Sequence, residues 1–99
     1  MKFEVTVEMV MGRINENPFL KSLVNEGEIE ISFRYVTLRN VIIAYIKPVT
    51  HDFISGVIIG DLIPLILDLG KYGKLNMYLT SEENKPCIEI WLSGDVCEE

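Results

Sequence analysis

A chain of 99 residues that is 48% hydrophobic and 24% charged has the make-up of one folded domain and argues against disorder. Fifteen acids against nine bases leave a net charge of −6. That balance disfavours phosphate backbones and anionic lipid as partners, because both need local positive charge. Two cysteines, Cys87 and Cys97, are too few to staple a small secreted domain.

The first segment, MKFEVTVEM, carries Lys2, Glu4 and Glu8 where a signal peptide needs an apolar core. An intracellular, cytoplasmic protein with reduced thiols is expected. Thirteen isoleucines, a single alanine and no glutamine hint at an AT-rich or thermophilic source, although six asparagines weaken the hint. Phe3, Val5, Val7, Met9 and Met11 alternate with polar residues, which predicts a half-buried strand over 2–11.

NENPFLKSLVNEG follows with helix punctuation. Asn17 is placed to cap, Pro18 suits the first helical position, and Gly27 suits the left-handed exit. Phe19, Leu20, Leu23 and Val24 are expected on one side of a helix of about two turns. EIEISFRYVTL then alternates again, with Ile29, Ile31, Phe33 and Tyr35 on one face of a second strand. Arg39–Asn40 is a candidate tight turn. VIIAYI (41–46) is apolar on both faces, as a central strand would be, and Pro48 ends it or puts that part at an edge.

FISGVIIGDLIPLILDLG (53–70) is the most apolar stretch. A membrane span is excluded by Asp61 near its middle, at ~3 kcal/mol for a mid-bilayer aspartate. A single helix through Pro64 would lose a hydrogen bond at ~3 kcal/mol. The expectation is therefore two elements, with Asp61 capping a helix, Pro64 in its first turn, and Gly70 or Gly73 closing it. On that helix Leu62, Ile63, Leu65, Ile66, Leu67 and Leu69 spread over an arc of about 200°, wider than the stripe a helix needs to lie on a sheet. The excess flank, Ile63 and Leu67, predicts either a homodimer interface or cover from residues 48–60.

KLNMYLT and CIEIWLS close the domain as a hairpin with a long polar loop, SEENKP. Leu75, Met77, Leu79, Ile88, Ile90 and Leu92 are expected to face the core, and Asn76, Tyr78, Thr80, Glu89 and Trp91 to face outward. The expected fold is α+β: a ferredoxin-like β-α-β-β-α-β core with an extra C-terminal strand, two helices lying on one face of a mainly antiparallel sheet. One domain spans 1–94, with a flexible acidic tail over 95–99.

No convergent catalytic set emerges. His51 and Asp52 are the weak candidates for a base and its orienting carboxylate, but adjacent residues point apart on a strand. Cys87 and Cys97 lack metal-ligand spacing, and the pairs Glu82–Glu83 and Glu98–Glu99 fit no calcium loop, so no metal or cofactor is expected. GVIIGD and GKYGK lack the elements of a phosphate-binding loop.

Tyr78 and Trp91, outward on the last hairpin, make a candidate binding platform. The leading expectation is a small homodimeric binding or regulatory module without catalytic activity, taking a protein or a small molecule. One alternative is an enzyme with a dimer-interface site around His51 and Asp52, with Asp61 or glutamates contributing. Another is nucleic-acid binding through the small basic cluster Arg34, Arg39 and Lys47, which the acidic balance opposes.

Overall fold

The computed structural model describes residues 3–50, 53–70 and 74–93. The chain is α+β, with helices α1 (Phe3–Asn15), α2 (Pro18–Asn25) and α3 (Gly56–Leu69) and strands β1 (Ile29–Val36), β2 (Val41–Pro48), β3 (Lys74–Glu82) and β4 (Lys85–Ser93). The strands form one antiparallel sheet in the order β1-β2-β4-β3. No described helix is long and apolar enough to cross a membrane.

The first expectation is corrected at once: residues 3–15 are a helix, not a strand. The segment holds two periods. Phe3, Val7, Val10 and Ile14 recur at helical spacing beneath the alternation, and α1 buries Thr6, Val10 and Ile14. Tertiary context decides between them, because Val10 and Ile14 join the cluster that covers the inner face of β2 and β4. The ferredoxin-like order goes with the lost strand. An opening helix replaces the first strand, three helices replace two, and the sheet order is not clearly ferredoxin-like.

Helix α2 is built as its punctuation predicts. The Asn17 side chain accepts from the Leu20 N–H at 3.1 Å, Pro18 opens the helix, and Gly27 takes φ +72°. The Glu28 N–H then bonds the Leu23 carbonyl at 2.9 Å, which satisfies a carbonyl of the last turn. Leu20 is buried and Leu23 and Val24 half-buried, but Phe19 turns outward.

Strands β1 and β2 pair from Ile29↔Pro48 to Val36↔Val41. A short 3-10 turn, Thr37–Arg39, joins them and ends on Asn40 in the left-handed region, whose side chain accepts from the Tyr35 hydroxyl at 2.9 Å. Pro48 closes β2, where it removes no interior ladder bond.

Gly56–Leu69 is one continuous helix, correcting the two-element reading of 53–70. Ser55, not Asp61, is the cap, its hydroxyl accepting from the Val57 N–H at 3.2 Å. Pro64 sits inside the helix. Burial of Ile58, Leu62, Leu65 and Leu69, at about 1.5–3 kcal/mol each, outweighs a proline cost of ~3 kcal/mol. Asp61 causes no conflict because its flank faces other helices: Asp68, on the same side, pairs with Arg13 of α1 at 2.8 Å.

The final hairpin is tighter than expected. Strands β3 and β4 run in unbroken register from Lys74↔Ser93 to Glu82↔Lys85, leaving only Glu83 and Asn84 between them. Both residues have positive φ, 53° and 64°, the geometry of a two-residue hairpin turn matched to strand twist. The expected six-residue loop is mostly strand.

All three helices contribute to the core on the inner face, around Ile42, Ala44, Ile46, Ile88, Ile90 and Leu92. Among the described residues no element packs on the other face. Gly73 and residues 94–99, including the expected tail, lie outside the described residues.

Candidate functional site on the open sheet face

The register defines what the open face carries. Alternation along each strand puts Glu30, Ser32 and Arg34 of β1 there, with Val41, Ile43, Tyr45 and Lys47 of β2. Cys87, Glu89 and Trp91 of β4 follow, then Lys74, Asn76, Tyr78, Thr80 and Glu82 of β3. Arg34, Ile43, Trp91 and Asn76 form one row across the sheet, and Ser32, Tyr45, Glu89 and Tyr78 the next.

The two residues singled out from the sequence meet here. Tyr78 and Trp91 lie edge to face, ring centroids 5.6 Å apart at 73°, an arrangement worth about 0.5–1.5 kcal/mol beyond area burial. The Trp91 indole Nε1–H donates to Glu89 Oε1 at 2.9 Å, so the ring is fixed at both ends. Tyr78 remains 49% exposed and Trp91 half-exposed.

Sequence reasoning missed the rest of the platform. VIIAYI is apolar on both sides, and only the register shows that Ile43 and Tyr45 share the Trp91 face. Ile43 is only 3% exposed although no described helix covers it; Arg34 and Trp91 flank it in register and Val41 and Tyr45 along the strand. The platform therefore has an apolar floor. Tyr45 extends it toward Lys47, whose ammonium stands 5.6 Å from the ring centroid.

Charge on this face differs from the whole. Arg34, Lys47 and Lys74 stand against Glu30, Glu82 and Glu89 in a chain of −6 overall. Lys47 pairs with Glu82 at 3.0 Å, and that hydrogen bond raises the lysine pKa against the opposing pull of burial. Cys87, beside this pair, is 1% exposed; burial pushes its thiol pKa up, with Lys47 acting weakly the other way. A buried, protonated thiol is a poor nucleophile.

The other candidates scatter. Ile63 and Leu67 remain 47% and 69% exposed on α3, so no described part of 48–60 covers them, and residues 56–60 belong to the same helix. His51 and Asp52 lie outside the described residues, as does Cys97. Asp61 lines a cleft of about 330 Å³ between α1, α2 and α3, with Arg13, Glu16 and Asp68. A second cavity of about 270 Å³ lies at the Lys47–Glu82 end of the sheet. Among the described residues no group of three His, Cys, Asp or Glu side chains is placed to hold a metal ion. Comparison with known protein families, curated proteins and solved structures finds no match.

Proposed function

We propose that the chain is a homodimeric, non-catalytic binding module whose recognition surface is the open sheet face. The observation that carries this reading is the rigid Tyr78–Trp91 pair on an apolar floor of Val41 and Ile43, on the face no described helix covers. Fixed aromatic side chains over a desolvated centre, rimmed by charge, are the usual anchors of protein recognition. The cavity on this face lies at its Lys47–Glu82 end and includes neither Tyr78 nor Trp91, and a flat area around that pair suits a protein surface better than a small molecule, which needs concavity. The mixed rim of Arg34, Lys47, Glu30 and Glu89 favours a partner segment that carries both charge signs around an apolar centre.

Single-stranded nucleic acid is the second reading. The observation favouring it is Tyr45, Tyr78 and Trp91 on one face with Arg34 and Lys74, a stacking surface with local bases. Glu89 against the indole and the overall acidity oppose it.

Trp91 is the one tryptophan of the chain, so its fluorescence reports on this face alone. The test is selection from a randomised peptide library, followed by titration of selected peptides and of oligouridine. The proposed reading expects peptides that shift Trp91 emission and lose affinity more than tenfold on Tyr78→Ala or Trp91→Ala, about 1.4 kcal/mol or more. Oligouridine binding that falls steeply with salt and with Arg34→Ala would replace it with the nucleic-acid reading. Peptides that bind equally well to both aromatic variants would overturn both.

A further inference from the structure

The edge strand β3 presents a second feature that the platform does not use. Nine residues pair with β4 without a bulge, and among the described residues no strand pairs with the other side. Alternate N–H and C=O groups of such a strand point outward as a template for a further strand. Proteins ordinarily protect long edges with mid-strand charges, prolines or bulges. KLNMYLTSE has none: its charges, Lys74 and Glu82, stand at the two ends.

That spacing is self-complementary. Antiparallel pairing of β3 with a second β3 about Tyr78 sets Lys74 opposite the partner's Glu82, and Asn76 opposite the partner's Thr80. Tyr78 then meets the partner's Tyr78 on the open face. On the inner face, Met77 meets the partner's Leu79. Leu79 is 62% exposed in the single chain, more than any other large apolar side chain on the inner face of the sheet, and this register covers it. Parity is preserved throughout, so both inner faces stay on one side of a continuous sheet.

Helix α3 adds a second contact on the same side. Its Asp61–Pro64–Asp68 flank meets α1, where Asp68 holds Arg13. At 100° per residue the opposite flank is Ile59, Ile63 and Ile66, with Leu67 just beyond. Ile59 lines an apolar groove of about 350 Å³ with Leu79 and Pro86, so this flank leans toward the β3 edge. The half-buried Ile59 side of α3 and the bare strand edge are therefore neighbours.

We propose that two copies of the chain join antiparallel along β3 about a two-fold axis at Tyr78, forming an eight-stranded sheet flanked by the Ile59 and Ile63 sides of α3. The open face then carries one continuous row, Trp91–Tyr78 followed by the partner's Tyr78–Trp91, so each recognition platform is half of a larger one. Only this last consequence rests on the open-face reading; the association itself does not.

The other edge, β1, also has a self-complementary pair, Glu30 and Arg34 about Ser32. Its inner side is already occupied: α2 packs on it, and Phe3 of α1 stands 6.4 Å from Tyr35, centroid to centroid. It is the rival edge in the test.

The test mixes two charge variants. Lys74→Glu alone sets Glu against Glu twice across the axis, and Glu82→Lys alone sets Lys against Lys. Each is expected to weaken dimerisation about tenfold or more in sedimentation at micromolar concentration. An equimolar mixture restores two opposite-charge pairs and is expected to sediment at twice the monomer mass. Tyr78→Cys in a Cys97→Ser background places two thiols on strands whose facing Cα atoms stand about 4.5–5.5 Å apart, inside the disulfide range of ~4.4–6.8 Å. Rapid cross-linking there, and none for Ser32→Cys, is the expected result. A wild-type monomer, a mixture no heavier than its components, or cross-linking through Ser32→Cys would overturn the proposal. Peptide binding at Trp91 by a strictly monomeric protein would overturn it while leaving the open-face reading intact.

Discussion

The two faces of one sheet do different work, and β4 shows it in consecutive residues. Ile88, Ile90 and Leu92 are fully inaccessible under the helices, whereas Glu89 and Trp91, one step away, stand on the open face. The inner face is closed by residues far apart in the chain: Val10 and Ile14 from α1, Leu20 from α2, and Ile58, Leu62, Leu65 and Leu69 from α3. The open face shields its apolar centre with its own side chains, Trp91 and Tyr45 around Ile43. The first arrangement holds the fold; the second leaves aromatic surface available for contact. The comparison teaches that apolar residues can be buried on a face that no described helix covers, beside aromatic side chains within reach of a partner.

The largest expected effect tests that contrast directly. Ile90→Ala removes a fully buried side chain and should cost about 2–5 kcal/mol in denaturant unfolding. Trp91→Ala, its neighbour, should cost less, roughly 1–2 kcal/mol, from the ring pair with Tyr78 and the cover over Ile43. Equal losses would mean that the open face is as structural as the core.

The inner layer can be sharpened through α3. Pro64 survives inside the helix because the burial of four large side chains outweighs it, so Pro64→Ala should restore the missing bond to Gly60 and raise stability by about 1–3 kcal/mol. A melting temperature that falls instead would show that the helix is fitted to its proline.

The smallest effect concerns Cys87, buried on the open side. Its folded pKa is raised, so the unfolded chain releases the thiol proton first. Stability is unaffected below the unfolded value of about 8.5, falls as pH rises through it, and levels above the folded value. Lys47 acts higher: its pairing with Glu82 stabilises below the unfolded value, and that contribution is lost as pH climbs through a folded pKa above 10.5. Cys87→Ala should flatten the lower part of this alkaline limb in pH-dependent unfolding and leave the upper part.

These contrasts also explain what the sequence discloses. Local signals that have a local cause read correctly: Asn17, Pro18 and Gly27 punctuate α2, and alternation orients β1 and the last hairpin, which is why Tyr78 and Trp91 were legible as an outward pair. Signals settled by tertiary contact did not. The 3–15 segment satisfies two periodicities, and only the uncovered inner face of β2 and β4 chooses the helix. Pro64 marks a boundary by propensity, yet packing overrides it. Glu83–Asn84 forms a tight turn without the glycine that ordinarily advertises one, so the hairpin looked longer-looped than it is. Ile43 and Tyr45 were hidden in a strand apolar on both sides, since nothing in VIIAYI says which side a helix will cover. The excess apolar flank of α3 was legible because it follows from circumference alone, and Ile63 and Leu67 do stay exposed.

The most direct test is an amide and indole chemical-shift map of the wild-type protein with the tightest selected peptide. The account predicts shifts concentrated at the Trp91 indole, Tyr78, Tyr45 and Arg34, with Val10, Ile14 and Leu62 unmoved. A map centred instead on the Arg13–Asp68 cleft, with the Trp91 indole unchanged, would contradict it.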